Sequence, residues 1–101
     1  MKELPYAEFA RQRTPDQRLL DVREEDEFAE VHVKGAELFP LSRLREGELP
    51  EADDREIFVI CRSGGRSAVA CKILEAAGFQ ECTNIAGGTT AAIDEGDDHL
   101  A

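Results

Sequence analysis

Apolar residues along the chain occur in short runs separated by segments with helical spacing. Runs at residues 18–22, 36–39, 57–60 and 81–85 predict strands. The run Ile57–Ile60 is apolar at every position, which is typical of a central strand in a parallel sheet because both of its faces are covered. The pattern therefore places this strand in the middle of the fold.

Between these runs the spacing is helical. Tyr6 and Phe9 follow Pro5, which suits the first turn of a helix, and Gly78 is a typical stop for the helix that follows the third run. Helices are predicted near residues 6–13, 24–31, 41–44, 66–77 and 90–95. Strands alternating with helices predict an α/β domain with a mainly parallel sheet and helices on both faces.

Length and charge narrow the class of protein. The 101 residues make one domain, with an acidic, frayed tail expected over about residues 94–101. The formal net charge of −10 opposes binding to nucleic acid. The chain shows neither a membrane-spanning run nor the apolar core of a signal peptide, so we expect a cytoplasmic protein with no membrane partner. Its three cysteines are then expected to be reduced, and their spacing suggests neither a metal site nor a cofactor.

The acidic residues are unevenly distributed. Residues 57–74 contain no carboxylate, although Arg62, Arg66 and Lys72 lie there. A buried strand and a packed helix would by themselves leave few positions for charges. The residue types around Arg62 and Arg66 decide between this structural explanation and a functional site.

Cys61 directly follows the central strand, at the edge where parallel sheets bind ligands. The glycines after it allow successive backbone N–H groups to point inward, and the next helix begins with free N–H groups. Such a cradle binds anions and stabilises a thiolate, so we predict that Cys61 is a nucleophile and that Arg62 and Arg66 lower its pKa. The predicted anion-binding loop comprises Arg62, Ser63, Gly64, Gly65, Arg66 and Ser67.

The other candidate side chains favour structural roles. Cys71 and Cys82 lie inside apolar elements, so we expect them to pack in the core. His32 lies between two valines and is interpreted as structural rather than as a general base.

Four separated motifs resemble those of a single-domain rhodanese, a sulfurtransferase. They are LLDVREEDEF at residues 19–28, VHVKGA at 31–36, CRSGGRS at 61–67, and AGF at 77–79 with NIAGG at 84–88. The motifs occur in the family's order and span nearly the whole chain. Two positions depart from the family pattern: Val31, where glycine is common, and Ala92, where tryptophan often occurs.

The resemblance implies a five-stranded parallel sheet and a ping-pong transfer of sulfane sulfur. Cys61 would take sulfur from a donor such as thiosulfate, hold it as a persulfide and pass it to cyanide or a thiol, which could belong to a protein. The resemblance also matches Asp21 and Arg23 to a pair that braces the loop structurally.

Two other classes of function remain. Cysteine phosphatases and arsenate reductases of the related fold have five residues between cysteine and arginine, whereas here four residues separate Cys61 from Arg66. The shorter ring favours a single sulfur atom over a tetrahedral oxyanion. A non-catalytic or regulatory module that carries sulfur or binds a protein is the second alternative.

Overall fold

The computed structural model describes residues 1–96 and 100–101, and its centre is a five-stranded sheet. The strands are β1 Lys2–Pro5, β2 Arg18–Asp21, β3 Glu37–Leu38, β4 Ile57–Ile60 and β5 Cys82–Ala86. The helices are α1 Tyr6–Gln12, α2 Glu25–Glu30, α3 Leu41–Arg45, α4 Gly65–Ala76 and α5 Gly88–Asp94. The strand order is β1-β5-β4-β2-β3, and every paired neighbour is parallel. The α/β prediction is confirmed, with β4 central.

Alternation along the strands divides the core between the two faces of the sheet. Leu20 and Val59 are paired in register and pack with α3 and α4, whereas Leu19 and Phe58 pack on the other face with α1 and α5. Successive strand residues point to opposite faces, so every residue of β4 is buried. Helices cover both faces, as predicted.

Strand β1 is absent from the prediction made from hydrophobic pattern. Its residues, KELP, are mostly exposed and include two charges, so they lack an apolar run. The strand pairs with β5 alone, and as an edge strand it needs no buried pattern. Of the expectations drawn from the sequence, only the five-stranded sheet implied by the family resemblance includes a strand beyond the four predicted from the hydrophobic pattern.

The expected frayed tail falls partly on residues 97–99, which lie outside the described residues. Asp94 closes α5. Leu100 forms an antiparallel bridge with Val33, and the backbones of Ala101 and His32 exchange hydrogen bonds of 2.7 and 3.1 Å. At these described positions the structure is ordered by tertiary contacts. Among the described residues, no helix is long and apolar enough to cross a bilayer.

Candidate active site around Cys61

Cys61 lies just beyond the end of β4, at the carboxyl edge of the sheet, and is 1% exposed. Its carbonyl oxygen accepts hydrogen bonds from the Thr89 N–H at 2.9 Å and the Thr89 hydroxyl at 3.1 Å. The neighbouring Arg62 carbonyl accepts the Thr90 N–H at 3.0 Å. The first turn of α5 therefore fixes the backbone on which the sulfur is carried.

Gly88 explains why the NIAGG motif ends in glycine. Its φ is +53°, and a Cβ added there would overlap the carbonyl oxygens of Cys61 and Arg62. Only a residue without a side chain lets α5 come this close to the Cys61 backbone. The two motifs, separated in the sequence by residues 68–83, thus form one structural unit.

The sulfur of Cys61 is held by hydrogen-bond donors from the following loop and helix. The Gly64 N–H lies 3.1 Å from Sγ, and the Ser67 hydroxyl lies 3.3 Å from it. Gly64, at φ +117°, caps α4, and Ser67 lies in the first turn of that helix, where backbone N–H groups have no partner within the helix. Ser63 and Gly65 are exposed on the outer side of the loop.

These donors decide the ionisation of Cys61. Burial alone raises the pKa of the thiol. Hydrogen bonds from the Ser67 hydroxyl and from the backbone N–H groups of Ser67, Gly64 and Ser63 outweigh burial and hold the pKa below its ordinary value. The loop therefore directs hydrogen-bond donors at the Cys61 sulfur, while its capacity to bind an anion stays a prediction.

Arg66 is engaged differently from the prediction. Its guanidinium forms two hydrogen bonds with the Glu27 carboxylate, at 2.7 and 2.9 Å. This contact lowers the pKa of Glu27 to about 2 against the opposing effect of burial. Arg66 also interacts electrostatically with Cys61, but the largest pKa-lowering effects on Cys61 come from hydrogen bonds. Residues 57–74 contain no carboxylate of their own, but the Glu27 carboxylate of α2 contacts Arg66 within them.

Sequence reasoning missed this role of Glu27. The acidic residues of the second helix predict only a helix start, and Glu27 does accept a hydrogen bond of 3.1 Å from the Glu24 N–H in a capping box. Its spacing from Glu24 could have suggested the cap. Its pairing with Arg66, 39 positions away, carries no local signal.

Arg62 is not among the hydrogen-bond donors that contact the Cys61 sulfur in the described part of the chain. It is exposed and lines a cleft of about 420 Å³. The walls of the cleft carry both charges and apolar groups, and the lining residues are Arg23, Glu27, Glu30, Val31, Arg62, Thr89, Thr90, Ile93 and Asp94. Of the two departures from the family pattern, Val31 lines this cleft and Ala92 is buried among α1, β4 and β5 residues.

Asp21 and Arg23 form a buried ion pair at the end of β2. The Arg23 guanidinium meets both carboxylate oxygens at 2.9 to 3.2 Å and also donates to the Val31 carbonyl at 2.7 Å. The pair therefore joins β2 to the end of α2. The structure shows these contacts instead of a direct hydrogen bond to the Cys61 loop.

His32 lies just after the end of α2, away from the hydrogen-bond donors that surround the Cys61 sulfur. Its Nδ1 is 2.8 Å from the Phe28 carbonyl oxygen, so this nitrogen carries the proton. Its ring stacks on the Phe28 ring with centroids 3.8 Å apart.

The other two cysteines lie in the core beneath α4. Cys71 and Cys82 are fully buried and belong to the same apolar cluster, which confirms the packing prediction. A hydrogen bond with Cys82, together with burial, raises the pKa of Cys71.

Asn84 is the other group that the sequence did not single out. It is buried in β5, and its Nδ2 donates to the Gly64 carbonyl at 3.1 Å and to the Glu3 carboxylate at 3.2 Å. Its Oδ1 accepts a short hydrogen bond from the Ser67 hydroxyl. The sequence did offer a signal for this residue, because Asn84 is a polar residue within the buried strand β5.

These features define an α/β protein with a buried cysteine whose sulfur accepts hydrogen bonds from the Gly64 N–H and the Ser67 hydroxyl at the carboxyl edge of a parallel sheet. The model of the rhodanese-like domain family matches residues 6–95. The chain therefore belongs to that family.

Solved structures and curated relatives agree with this assignment. The rhodanese-related protein of Thermoplasma volcanium superposes with a TM-score of 0.86 at 28% identity, covering 100% of this chain and 98% of that one. "Putative sulfurtransferase YtwF" of Bacillus subtilis is 36% identical over 98 residues, covering 90% of this chain and 89% of that protein. "Putative sulfur carrier protein YrkF" of the same species is 39% identical over 72 residues, covering 69% of this chain. The chain spans only 38% of YrkF.

Proposed function

We propose that this protein transfers sulfane sulfur through a persulfide on Cys61. The observation that carries the proposal is the position of the Cys61 sulfur among the Gly64 N–H and the Ser67 hydroxyl, with its pKa lowered. A thiolate is the form of cysteine that attacks a sulfur donor. Relatives named as a sulfurtransferase and a sulfur carrier support the same chemistry.

The proposed first step uses a donor such as thiosulfate. The Cys61 thiolate attacks the outer sulfur of the donor, a new S–S bond forms on Cys61, and the donor's S–S bond breaks to release sulfite. The electron pair of the broken bond leaves with sulfite. The outer persulfide sulfur then carries the negative charge, which the inward N–H groups stabilise.

The proposed second step discharges the persulfide. Cyanide or a thiolate attacks the outer sulfur, takes it as thiocyanate or as a new persulfide, and restores the Cys61 thiolate. The exposed Arg62 on the adjacent cleft is suited to meet anionic groups of donor or acceptor. A reducing compartment such as the cytoplasm belongs to the proposal, because a disulfide at Cys61 would remove the nucleophile.

Intact mass spectrometry after incubation with thiosulfate tests the first step. We expect the mass of one sulfur atom to be added, and this addition to be lost in Cys61→Ala. Cys71→Ala is the matched control, since Cys71 is equally buried but has no loop donors, and it should retain the addition. Absence of an adduct with thiosulfate and with a second sulfane donor would overturn the proposal.

A carrier that delivers sulfur to a protein thiol is the second candidate, favoured by the similarity to YrkF. In that case the persulfide forms as above but cyanide discharges it slowly, whereas a protein thiol discharges it rapidly. Measuring both discharge rates on the preloaded protein distinguishes the two functions. Robust hydrolysis of an aryl phosphate that is lost in Cys61→Ser would instead support the phosphatase alternative.

A further inference from the structure

The orientation of the Asn84 amide is fixed by its neighbours. Nδ2 faces the Gly64 carbonyl at 3.1 Å and the Glu3 carboxylate at 3.2 Å, and both of these groups accept hydrogen bonds. An amide oxygen placed there would repel both. The Asn84 Oδ1 must therefore face Ser67, to which it can only be an acceptor.

Ser67 has one hydroxyl proton and two neighbours that can take it. Within the described residues, these neighbours are the Asn84 Oδ1 and the Cys61 Sγ, which lies 3.3 Å from the hydroxyl oxygen. Ser67 and Asn84 are both buried, at 0% and 2% exposure. Water therefore cannot easily replace the hydrogen bond that the Ser67 hydroxyl leaves unmade.

The two ionisation states of Cys61 distribute this proton differently. When Cys61 is a thiol, its S–H can donate to the Ser67 oxygen while the Ser67 hydroxyl donates to Asn84. When Cys61 is a thiolate, its negative charge attracts the Ser67 hydroxyl as a further donor beside the Gly64 N–H, so the hydroxyl turns to the sulfur and the Asn84 oxygen loses its partner. A buried acceptor without a partner is unfavourable. Asn84 therefore opposes formation of the thiolate.

We propose that Asn84 is a positioning residue that competes with Cys61 for the Ser67 hydroxyl proton and thereby limits how readily the thiolate forms. The inference concerns the nucleophile of the proposed sulfur transfer and rests on that function for its relevance. In the persulfide state the charge moves to the outer sulfur, so the Ser67 hydroxyl can return to Asn84.

Charged groups near the site could also influence Cys61, but they do so through space. They come from several elements packed around the cysteine: Glu3 of β1, Asp21 and Arg23 at the end of β2, Glu27 of α2, Arg62 and Arg66 after β4, and Asp94 of α5. A through-space effect does not require the Ser67 hydroxyl. This difference makes the competition testable.

The test is the rate of Cys61 alkylation by iodoacetamide as a function of pH. Asn84→Ala removes the competing acceptor, so alkylation below the Cys61 pKa should be about 3- to 10-fold faster, as expected for one net hydrogen bond. In a Ser67→Ala background the same substitution should change the rate by less than about 2-fold, because no hydroxyl remains to redirect. A slower or unchanged rate for Asn84→Ala, or an equal acceleration without Ser67, would overturn the proposal.

Asn84→Asp gives a second arm with the opposite sign. A carboxylate is a stronger acceptor for the Ser67 hydroxyl and also adds a negative charge, so alkylation should be slower than in the parent, and the slowing should be smaller in a Ser67→Ala background, where only the charge acts. Simple disruption of the loop would move both substitutions in the same direction. Should Asn84→Ala fail to fold, as judged by circular dichroism, the Asp variant compared with and without Ser67 decides: a faster or unchanged rate, or equal slowing in both backgrounds, contradicts the competition.

Glu3→Gln is the matched control for charge. It removes the carboxylate at the far side of Asn84 and leaves the contact between Asn84 and Ser67 in place, so the rate should stay within about 2-fold of the parent. A change as large as that of Asn84→Ala would show that charge, and not the hydroxyl proton, controls Cys61. Alkylation uses no sulfur donor, so the outcome is independent of whether sulfur transfer is observed.

Discussion

Cys61 and Cys71 are buried to nearly the same extent, at 1% and 0% exposure, yet the pKa values of their thiols are shifted in opposite directions. The pKa of Cys61 is lowered because the Ser67 hydroxyl and the backbone N–H groups of the loop overcome the effect of burial. The pKa of Cys71 is raised by its hydrogen bond with Cys82 and by burial. The donors around each sulfur, and not its exposure, therefore account for the opposite pKa shifts of these two cysteines.

The same comparison applies to the two ends of the loop. On the sulfur side lie the Gly64 N–H and the Ser67 hydroxyl, which are uncharged donors, whereas the charge of Arg66 is balanced by Glu27. Charge around the site is thus largely paired. The electrostatic field at the Cys61 sulfur therefore comes mainly from hydrogen-bond donors that the fold directs towards it.

The largest expected effect is in the rates of alkylation of the cysteines in the folded protein. At neutral pH, Cys61 should react on the order of 100-fold or more faster than Cys71, because loop donors lower the pKa of Cys61 whereas the pKa of Cys71 is raised. Peptide mapping after a short pulse of iodoacetamide measures this ratio, and Cys61→Ala should show no fast phase. Comparable labelling at Cys71 would contradict the distinction drawn from the hydrogen bonds.

Gly88→Ala should break the site by moving the Cys61 backbone. The added Cβ meets the Cys61 and Arg62 carbonyl oxygens, so we expect a loss of about 2–4 kcal/mol in the free energy of unfolding and a slower Cys61 alkylation. Gly96→Ala is the control, since Gly96 also has a positive φ, of +63°, but no atom within 4 Å of an added Cβ. Urea denaturation of both variants measures the difference, and equal losses would show that backbone conformation alone accounts for the cost.

Sequence and structure agree where one local pattern determines the answer. The apolar run Ile57–Ile60 indicates a buried central strand, and the glycines of CRSGG indicate a turn after it whose Gly64 N–H points at the Cys61 sulfur. The exposed edge strand Lys2–Pro5 has no such pattern, because its stability comes from pairing with β5. Glu27 and Asn84 reach the site from distant parts of the chain, so their roles depend on tertiary distances that no local spacing contains.

Glu27→Gln should reveal how much the pairing of Arg66 contributes to stability. The pKa of Glu27 is lowered from 4.5 to about 2, so the contribution is fully present above pH 4.5 and declines as the pH falls towards 2. Because the pair is partly exposed, we expect a loss of about 1 kcal/mol at neutral pH. Glutamine can still cap α2, so the cap is retained.

Urea denaturation at a series of pH values measures this contribution. The difference between the parent and Glu27→Gln should shrink as the pH falls from about 4.5 towards 2, because in this range the unfolded parent binds a proton at Glu27 while the folded parent does not. Glu8→Gln is a suitable control, since Glu8 pairs with Arg11 at 3.7 Å on the exposed side of α1. A difference that is independent of pH would argue against the ion pair as its source.

The smallest expected effect belongs to Arg62, and it tests the original expectation that the two arginines lower the Cys61 pKa. Arg62 is exposed and lies on the cleft, so its charge is screened by solvent, and Arg62→Gln should move the Cys61 pKa by less than about 0.5 unit. Ser67→Ala removes a donor 3.3 Å from the sulfur and should raise that pKa by about 1 unit. The pH profile of alkylation compares the two variants directly. A larger shift for Arg62→Gln than for Ser67→Ala would restore the arginines as the main cause, whereas the expected order would confine Arg62 to contacts with donor or acceptor.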